Sequence, residues 1–313
     1  MSSRRTAIGF ERNEVLGDQV PVHIERAHAK INLILRILAR EASGYHGIET
    51  LFQRLALHDL VQVTVGDGPS HLTCDGPSMP AGGLGTMKEN LAWRAAALYT
   101  HAASWDTTWQ IAIEKHIPVG GGLGGGSADA AAVLRALDAL APSPLGVDRL
   151  VELGGQLGAD VPFLVAQDAL GWGWHRGDRV LPLSPLPAMA VTLVTFTAGI
   201  NTGAAYGAIA AERAARGTTT SSVRYRPHVF TSWQAVASYA HNDFEAVAMG
   251  MHPGVAHVLP QLAAQAERLR AAGHTAIGMM SGSGATCFLL HPEGNDIPLD
   301  LPPDARVVRT TTG

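Results

Sequence analysis

Cysteine is nearly missing from this chain: 313 residues carry only Cys74 and Cys287. Neither has a second ligand at paired spacing, which excludes a zinc cluster or a disulfide framework and fits a reducing compartment. A positive balance is missing too. With 23 Lys and Arg against 27 Asp and Glu, the formal net charge is −4, so bulk positive charge cannot serve nucleic-acid binding. Long apolar runs are absent as well; "AMAVTLVTF" is too short to span a bilayer and has the composition of a strand. The opening "MSSRRTAIGFERNEVLG" has two arginines but no apolar run after them, and Glu11 and Glu14 count against a transit peptide. No H-E-x-x-H or similar spacing occurs among the histidines, so no protein-built metal site is assigned. A folded cytoplasmic protein is expected, with no nucleic-acid or membrane partner; the oligomeric state stays open.

Glycine is what the chain has in quantity, and it is concentrated. "IPVGGGLGGGSADAAA" (117–132) places six glycines around Leu123. Glycine buries no side chain and loses the most backbone freedom on folding, so such a run needs a purpose other than packing. Its flanks are regular. Trp109, Ile111 and Ile113 alternate in "TTWQIAIEKHIP", a strand pattern, while Ala130, Val133, Leu134, Leu137 and Leu140 form one helical stripe. A strand, a glycine turn and a helix start together make an anion site. Main-chain N–H groups converge there, and the helix N-terminus adds about half a positive charge.

Other readings of the loop are weaker. A Walker loop ends Gly-Lys-Ser/Thr, whereas this one ends Gly126-Ser127-Ala128. A dinucleotide fingerprint is satisfied only trivially by "GGGLGGG", with no acidic residue closing a second strand about twenty residues on. A flexible linker would not sit between a well-patterned strand and helix. A phosphate cradle is therefore expected.

Around the loop, "VHIERAHAKINLILRIL" and "TLFQRLALHDLVQVTVG" read as strands, and "ENLAWRAAALYTHAAS" and "VDRLVELGGQLG" as helices. "ADVPFLV" reads as a strand following the second helix. "GWGWHRGDRVLPLSPLPAMAVTLVTF" reads as proline-broken strands containing the domain boundary. The polar "TTTSSVRYRPH" reads as an excursion, "NDFEAVAMG" and "VLPQLAAQAERLRAAG" as helices, and "SGSG" (281–284) as a turn between two strands.

Three stretches together resemble the GHMP small-molecule kinases: "AHAKINLILRIL", "PVGGGLGGGSADAAA" and "GMMSGSGATCFLL", in that family's order and spanning nearly the whole chain. The resemblance implies an α+β two-domain fold. Residues 20–185 would form an N-terminal βα domain with a left-handed-crossover-type sheet, residues 186–313 a C-terminal ferredoxin-like α/β domain, with the active site between them. It also implies a transferase using ATP, with Mg²⁺ arriving on the nucleotide within reach of Ser127. "GYHGIETLFQRLALHD" and "LGADVPFLV" resemble the branch that phosphorylates the 2-hydroxyl of a methylerythritol carrying cytidine diphosphate, in non-mevalonate isoprenoid synthesis. A GHMP kinase for homoserine, mevalonate or a sugar is the alternative, and a non-catalytic nucleotide-binding homologue a third reading.

The resemblance assigns roles. Pro118, Val119, Gly120, Gly121, Gly122, Leu123, Gly124, Gly125, Gly126, Ser127 and Ala128 would cradle the nucleotide phosphates. Asp160 would be the catalytic base, placed where a helix ends and a strand starts, and Lys30 its partner. A lysine in an apolar strand is costly unless it has a partner or faces a polar site. Asn32, two residues along, would share its face and bind the acceptor. Tyr45 would stack on cytosine, His46 would hydrogen-bond it, and Tyr206 would form a second aromatic wall. "SGSG" would approach the glycine loop. The tryptophans, including Trp172 and Trp174, read as core or groove wall, and His175 as a solvated loop residue. Three positions depart from the family pattern. They are His28, expected to narrow the acceptor pocket, Ala128, which removes a hydroxyl, and Asp178, where glutamate is frequent.

Overall fold

Two long strands form the spine of the N-terminal part. β1 (Val22–Arg40) and β2 (His46–Val65) pair antiparallel along nearly their whole length. β2 is long enough to take two further neighbours on one edge. Its second half pairs with β4 (Trp109–Glu114), which carries the parallel β3 (His71–Asp75). Its first half pairs with β5 (Leu170–His175), which turns back into β6 (Arg179–Leu183). The computed structural model describes residues 20–40, 46–66, 68–217, 223–295 and 297–313.

Helices α1 (Leu91–Ala102), α2 (Gly125–Leu140), α3 (Val147–Leu157) and α4 (Val161–Ala166) cover the sheet. The expected stripe on α2 is buried from Ala130 to Leu137, with Leu140 only half-buried, because Ile31, Leu51, Val61 and Val63 of the sheet lie in the same core. α4 corrects the strand expected at "ADVPFLV". Pro162 sits in its first turn, where the missing N–H costs nothing. Val161, Phe163, Leu164 and Val165 are all buried, so packing on neighbouring helices overrides the β preference of valine and phenylalanine.

The second sheet is fully antiparallel, in the order β11-β7-β10-β9. β7 (Ala190–Phe196) leads to α5 (Thr202–Arg216), α6 (Trp233–Tyr239) and the two-residue β8 (His241–Asn242). α7 (Glu245–Met251) and α8 (Pro253–Ala271) follow, then β9 (Ile277–Met280), β10 (Cys287–His291) and β11 (Ala305–Thr311). The strand order is that of a ferredoxin-like sheet. The segment 292–304, which would carry its second helix, contains none among the described residues. Strand β8 crosses back to pair in parallel with Ile34 and Leu35 of β1, tying the two sheets together.

Smaller corrections concern side chains. Trp172 packs against Tyr225 and Phe230 as expected of a wall residue, but Trp174 faces solvent. His28 lies outside the cleft described below; its Nδ1 bonds the Leu55 carbonyl at 2.8 Å, and burial lowers its pKa. Part of "TTTSSVRYRPH" lies outside the described residues. Both cysteines are free. Among the described residues, no helix is long and apolar enough to cross a membrane.

Candidate active site

The glycine loop joins β4 to α2, and its carbonyls are held by hydrogen bonds from two directions. Gly120, Gly122 and Gly124 have φ of 77°, 80° and 73°, the left-handed region that side chains resist. From β1, the Lys30 N–H donates to the Leu123 carbonyl at 3.0 Å. From the "SGSG" turn, Ser281 Oγ donates to the Gly122 carbonyl at 3.0 Å, and Thr286 N–H donates to the Gly121 carbonyl at 3.1 Å. A Cβ on Gly122 would stand 2.3 Å from the Ser281 carbonyl oxygen, so only glycine permits this approach. Past Gly124, α2 begins with its first N–H groups facing the loop, the geometry that favours a phosphate.

Lys30 and Asn32, two residues apart, point to one side of β1, and the strand is irregular on either side of them. Register shifts fall between His28 and Lys30 and between Asn32 and Ile34, and such bulges re-aim side chains next to sites. Lys30 Nζ donates to Asn32 Oδ1 at 2.8 Å and lies 3.2 Å from Asp160 Oδ2. Asn32 Nδ2 donates in turn to Thr50 Oγ1 at 2.7 Å. Asp160 precedes α4 but makes no capping bond with its side chain. Its carboxylate is instead turned toward Lys30 and is 29% exposed, against 4% for the lysine side chain. The ammonium is therefore fixed by protein partners while the carboxylate keeps a face open to a ligand.

That face opens into a cavity of about 920 Å³, lined by Lys30, Asn32, His46, Asp160 and Tyr206 among others. His46 and Tyr206 stack with ring centroids 5.2 Å apart and planes 13° from parallel; Phe244 meets the tyrosine edge-on. Burial, with Asp160 nearby, pushes the Tyr206 phenol up to about 12, so it stays protonated. Tyr45 lies outside the described residues. A second cavity of about 540 Å³ runs along residues 118–127 and is bordered also by Leu84, Asn90, Leu91, Lys115 and Asp129. Gly122, Ser127 and Thr202 line both cavities, which therefore meet at the loop. Ala128, by contrast, is buried in the α2 core.

Sequence reasoning missed the ion cluster under the loop. Lys115, at the end of β4, is buried and donates to Asp59 Oδ2 and, at 2.6 Å, to Asp129 Oδ2. Asp59 Oδ1 also accepts the His116 and Ile117 N–H groups at 2.5 and 2.7 Å, fixing the chain as it enters the loop. Burial alone would lower the Lys115 pKa, but Asp129 and Asp59 outweigh it and hold the pKa above its ordinary value. Asp129 is pushed up to about 7 by burial, against the pull of Lys115 and with the repulsion of Asp59. Its Oδ1 has no hydrogen-bond partner. The available signal was an acid inside one apolar strand, in "ALHDLV", and a lysine just past the end of another, in "IAIEKHIP".

Comparison with known proteins gives the family. The family described as GHMP kinases N terminal domain matches residues 90–167, the stretch from α1 through the loop to α4. A 4-diphosphocytidyl-2-C-methyl-D-erythritol kinase of Geobacter sp. (strain M21) is 36% identical over 271 residues, covering 86% of this chain and 89% of its own. The chain belongs to the 4-diphosphocytidyl-2-C-methyl-D-erythritol kinase family of GHMP kinases. A crystal structure of a 4-(cytidine 5'-diphospho)-2C-methyl-D-erythritol kinase superposes with a TM-score of 0.67 at 31% identity, over 93% of this chain and 99% of that one. The L. major mevalonate kinase solved with R-mevalonate gives 0.63 at 12% identity, over 93% and 95%, and shows the shared fold alone. Membership in this family makes the protein an ATP-dependent small-molecule kinase with a two-domain α+β fold.

Proposed function

We propose that the protein phosphorylates the 2-hydroxyl of 4-diphosphocytidyl-2-C-methyl-D-erythritol with ATP, in the methylerythritol phosphate route to isoprenoid precursors. The observation that carries this reading is the Lys30–Asp160 pair, at 3.2 Å, in a cavity that meets the glycine loop at Gly122 and Ser127. Phosphoryl transfer is mostly positioning and electrostatics. The triphosphate would lie along residues 118–128, against main-chain N–H groups and the start of α2. The cytidine would lie at His46 and Tyr206, and the acceptor hydroxyl at Asp160 and Asn32. Asp160 accepts the hydroxyl proton as the oxygen bonds to the γ-phosphorus, the bond to the β-phosphate oxygen breaks, and ADP leaves. Lys30 orients the Asp160 carboxylate and offsets charge on the moving phosphoryl group.

Mg²⁺ fits this site as a companion of the nucleotide. Among the described residues no cluster of three or more His, Cys, Asp or Glu could hold a metal. Mg²⁺ keeps several waters and needs few protein oxygens when phosphates bind it, and the Ser127 hydroxyl borders both cavities. Bound there, the ion would neutralise phosphate charge. The two functional units would be residues 20–185 and 186–313, working in the cytoplasm where ATP is available.

The test is turnover of the purified protein with ATP and either the cytidine-bearing substrate or free methylerythritol, homoserine and mevalonate. Formation of ADP and a 2-phosphate monoester, followed by phosphorus NMR, is expected only with the cytidine diphosphate half present. Equal turnover of the simple alcohols would overturn the assignment.

A further inference from the structure

His28 departs from the family pattern, lies outside the cleft and has no part in the reaction proposed above. We propose that His28 and His58 together form a binding site for one divalent transition-metal ion of the zinc class, and not for the Mg²⁺ that accompanies the nucleotide.

The pair is set by strand register. His28 of β1 and His58 of β2 are direct partners in the antiparallel ladder, so their side chains leave the same face of the sheet. Immediately beyond them the ladder breaks. Lys30 next pairs with Arg54, which leaves Ala29 alone opposite Leu55, Ala56 and Leu57. This bulge is held from the C-terminal strand. Thr310 Oγ1 accepts the Leu57 N–H at 2.9 Å, and the Gly313 N–H donates to the Arg54 carbonyl at 3.1 Å.

The bulge in turn fixes both rings. His28 Nδ1 lies 2.8 Å from the Leu55 carbonyl oxygen, and His58 Nδ1 lies 2.7 Å from that of Ala56. A carbonyl can only accept, so Nδ1 carries the proton in both rings, and each neutral ring keeps its lone pair on Nε2. Neither Nε2 has a hydrogen-bond partner among the described residues. Metal-binding histidines are oriented in this way, by giving the other ring N–H to a carbonyl or carboxylate. The spacing agrees. Zinc–nitrogen bonds of about 2.0–2.1 Å put two ring centres about 4.6–5.3 Å apart when both bind one ion at angles from square to tetrahedral. The two centroids are 5.1 Å apart, with planes 48° from parallel.

Charge and exposure suit an exchangeable ion. Both rings are half-buried, so water can fill the remaining positions. Burial, and to a lesser degree Arg54, His58 and Arg135, lowers the His28 pKa against the effect of the Leu55 bond. The ring is thus held in the neutral form that binds metal. The two arginines are themselves balanced, Arg135 by Glu25 at 3.0 Å and Arg54 by Asp168. Imidazole ligands select zinc, copper or nickel, whereas Mg²⁺ takes oxygen. Bound there, the ion would join β1 to β2 at the break in their ladder, two residues ahead of Lys30.

Zn²⁺ is titrated by calorimetry into full-length protein freed of metal with a chelator, for wild type, His28→Gln and His58→Gln. The wild type is expected to take up one equivalent. Each substitution should weaken that binding by more than about 10-fold, since loss of an outer partner alone costs about 10–100-fold. Excess Mg²⁺ should not displace the ion. Unchanged Zn²⁺ binding in either variant overturns the proposal, as does displacement by Mg²⁺ or a wild type that binds no stoichiometric Zn²⁺. Urea unfolding without metal checks the fold of each variant. Where a variant does not fold, wild type decides through diethyl pyrocarbonate labelling located by mass spectrometry. Zn²⁺ is expected to protect His28 and His58 together; protection of neither, or of one alone, refutes a shared site.

Discussion

Two lysines approach consecutive glycines of the same loop, from opposite sides and in opposite surroundings. The Lys30 side chain comes within 3.1 Å of where a Cβ on Gly124 would stand, and Lys115 Nζ within 3.6 Å of one on Gly125. Lys30 pairs with one carboxylate that is partly open to the cleft; Lys115 is sealed between two that are not. The difference follows from what lies beyond each ammonium. Past Lys30 the larger cavity meets a partly exposed carboxylate, whereas Lys115 and Asp129, although they border the cavity along the loop, are almost wholly buried at its floor. An open pair can hand a proton to or from a ligand. The buried cluster holds the backbone that carries it, here the two N–H groups bonded to Asp59 and the first turn of α2.

The sharpest way to break this contrast is to neutralise the open carboxylate. Asp160→Asn is expected to lower kcat by about 10²–10⁴, the range for removing a general base, with ATP affinity little changed. Wild-type turnover in that variant would remove Asp160 from the chemistry.

The sealed cluster should respond in stability instead. Lys115→Met leaves two carboxylates buried without their cation and should destabilise the fold by about 3–5 kcal/mol, the cost of breaking a buried pair. Urea unfolding measures it. A loss of turnover with no loss of stability would move Lys115 to the side of Lys30.

The smallest effect is a change of slope with pH. Asp129 keeps its proton to about pH 7 in the folded chain, against an ordinary value of 3.8. Between those values the folded state binds more protons than the unfolded state, so this group's contribution to stability is lost as pH rises. Asp129→Asn lacks that decline. Its stability relative to wild type should improve by about 2–3 kcal/mol from pH 5 to pH 8, read from urea midpoints at each pH. A difference that stays flat would mean that Asp129 is ionised throughout.

The elements that were legible beforehand are those whose pattern is local. The alternation of Trp109, Ile111 and Ile113 and the stripe from Ala130 to Leu137 mark β4 and α2 with no knowledge of the rest, because each needs only its own periodicity. "ADVPFLV" failed for the opposite reason. Its residues favour a strand, and only the helices packed around it make the helix the better burial. Trp174 was misjudged in the same way, since its neighbours on β5 and β6 leave its outer side uncovered. The cluster of Lys115, Asp59 and Asp129 brings together residues from two strands and a helix, so no single stretch announced it.

By itself, the order of residues determined the glycine turn, its flanking strand and helix, and the types of side chain available for acid–base work, since these depend on backbone freedom and spacing along one segment. Tertiary structure alone decided which acid met which amine. Lys30 and Asp160 are 130 positions apart in the numbering, and whether such a pair is sealed or left facing a cleft depends on what else packs there, which is a property of the folded whole.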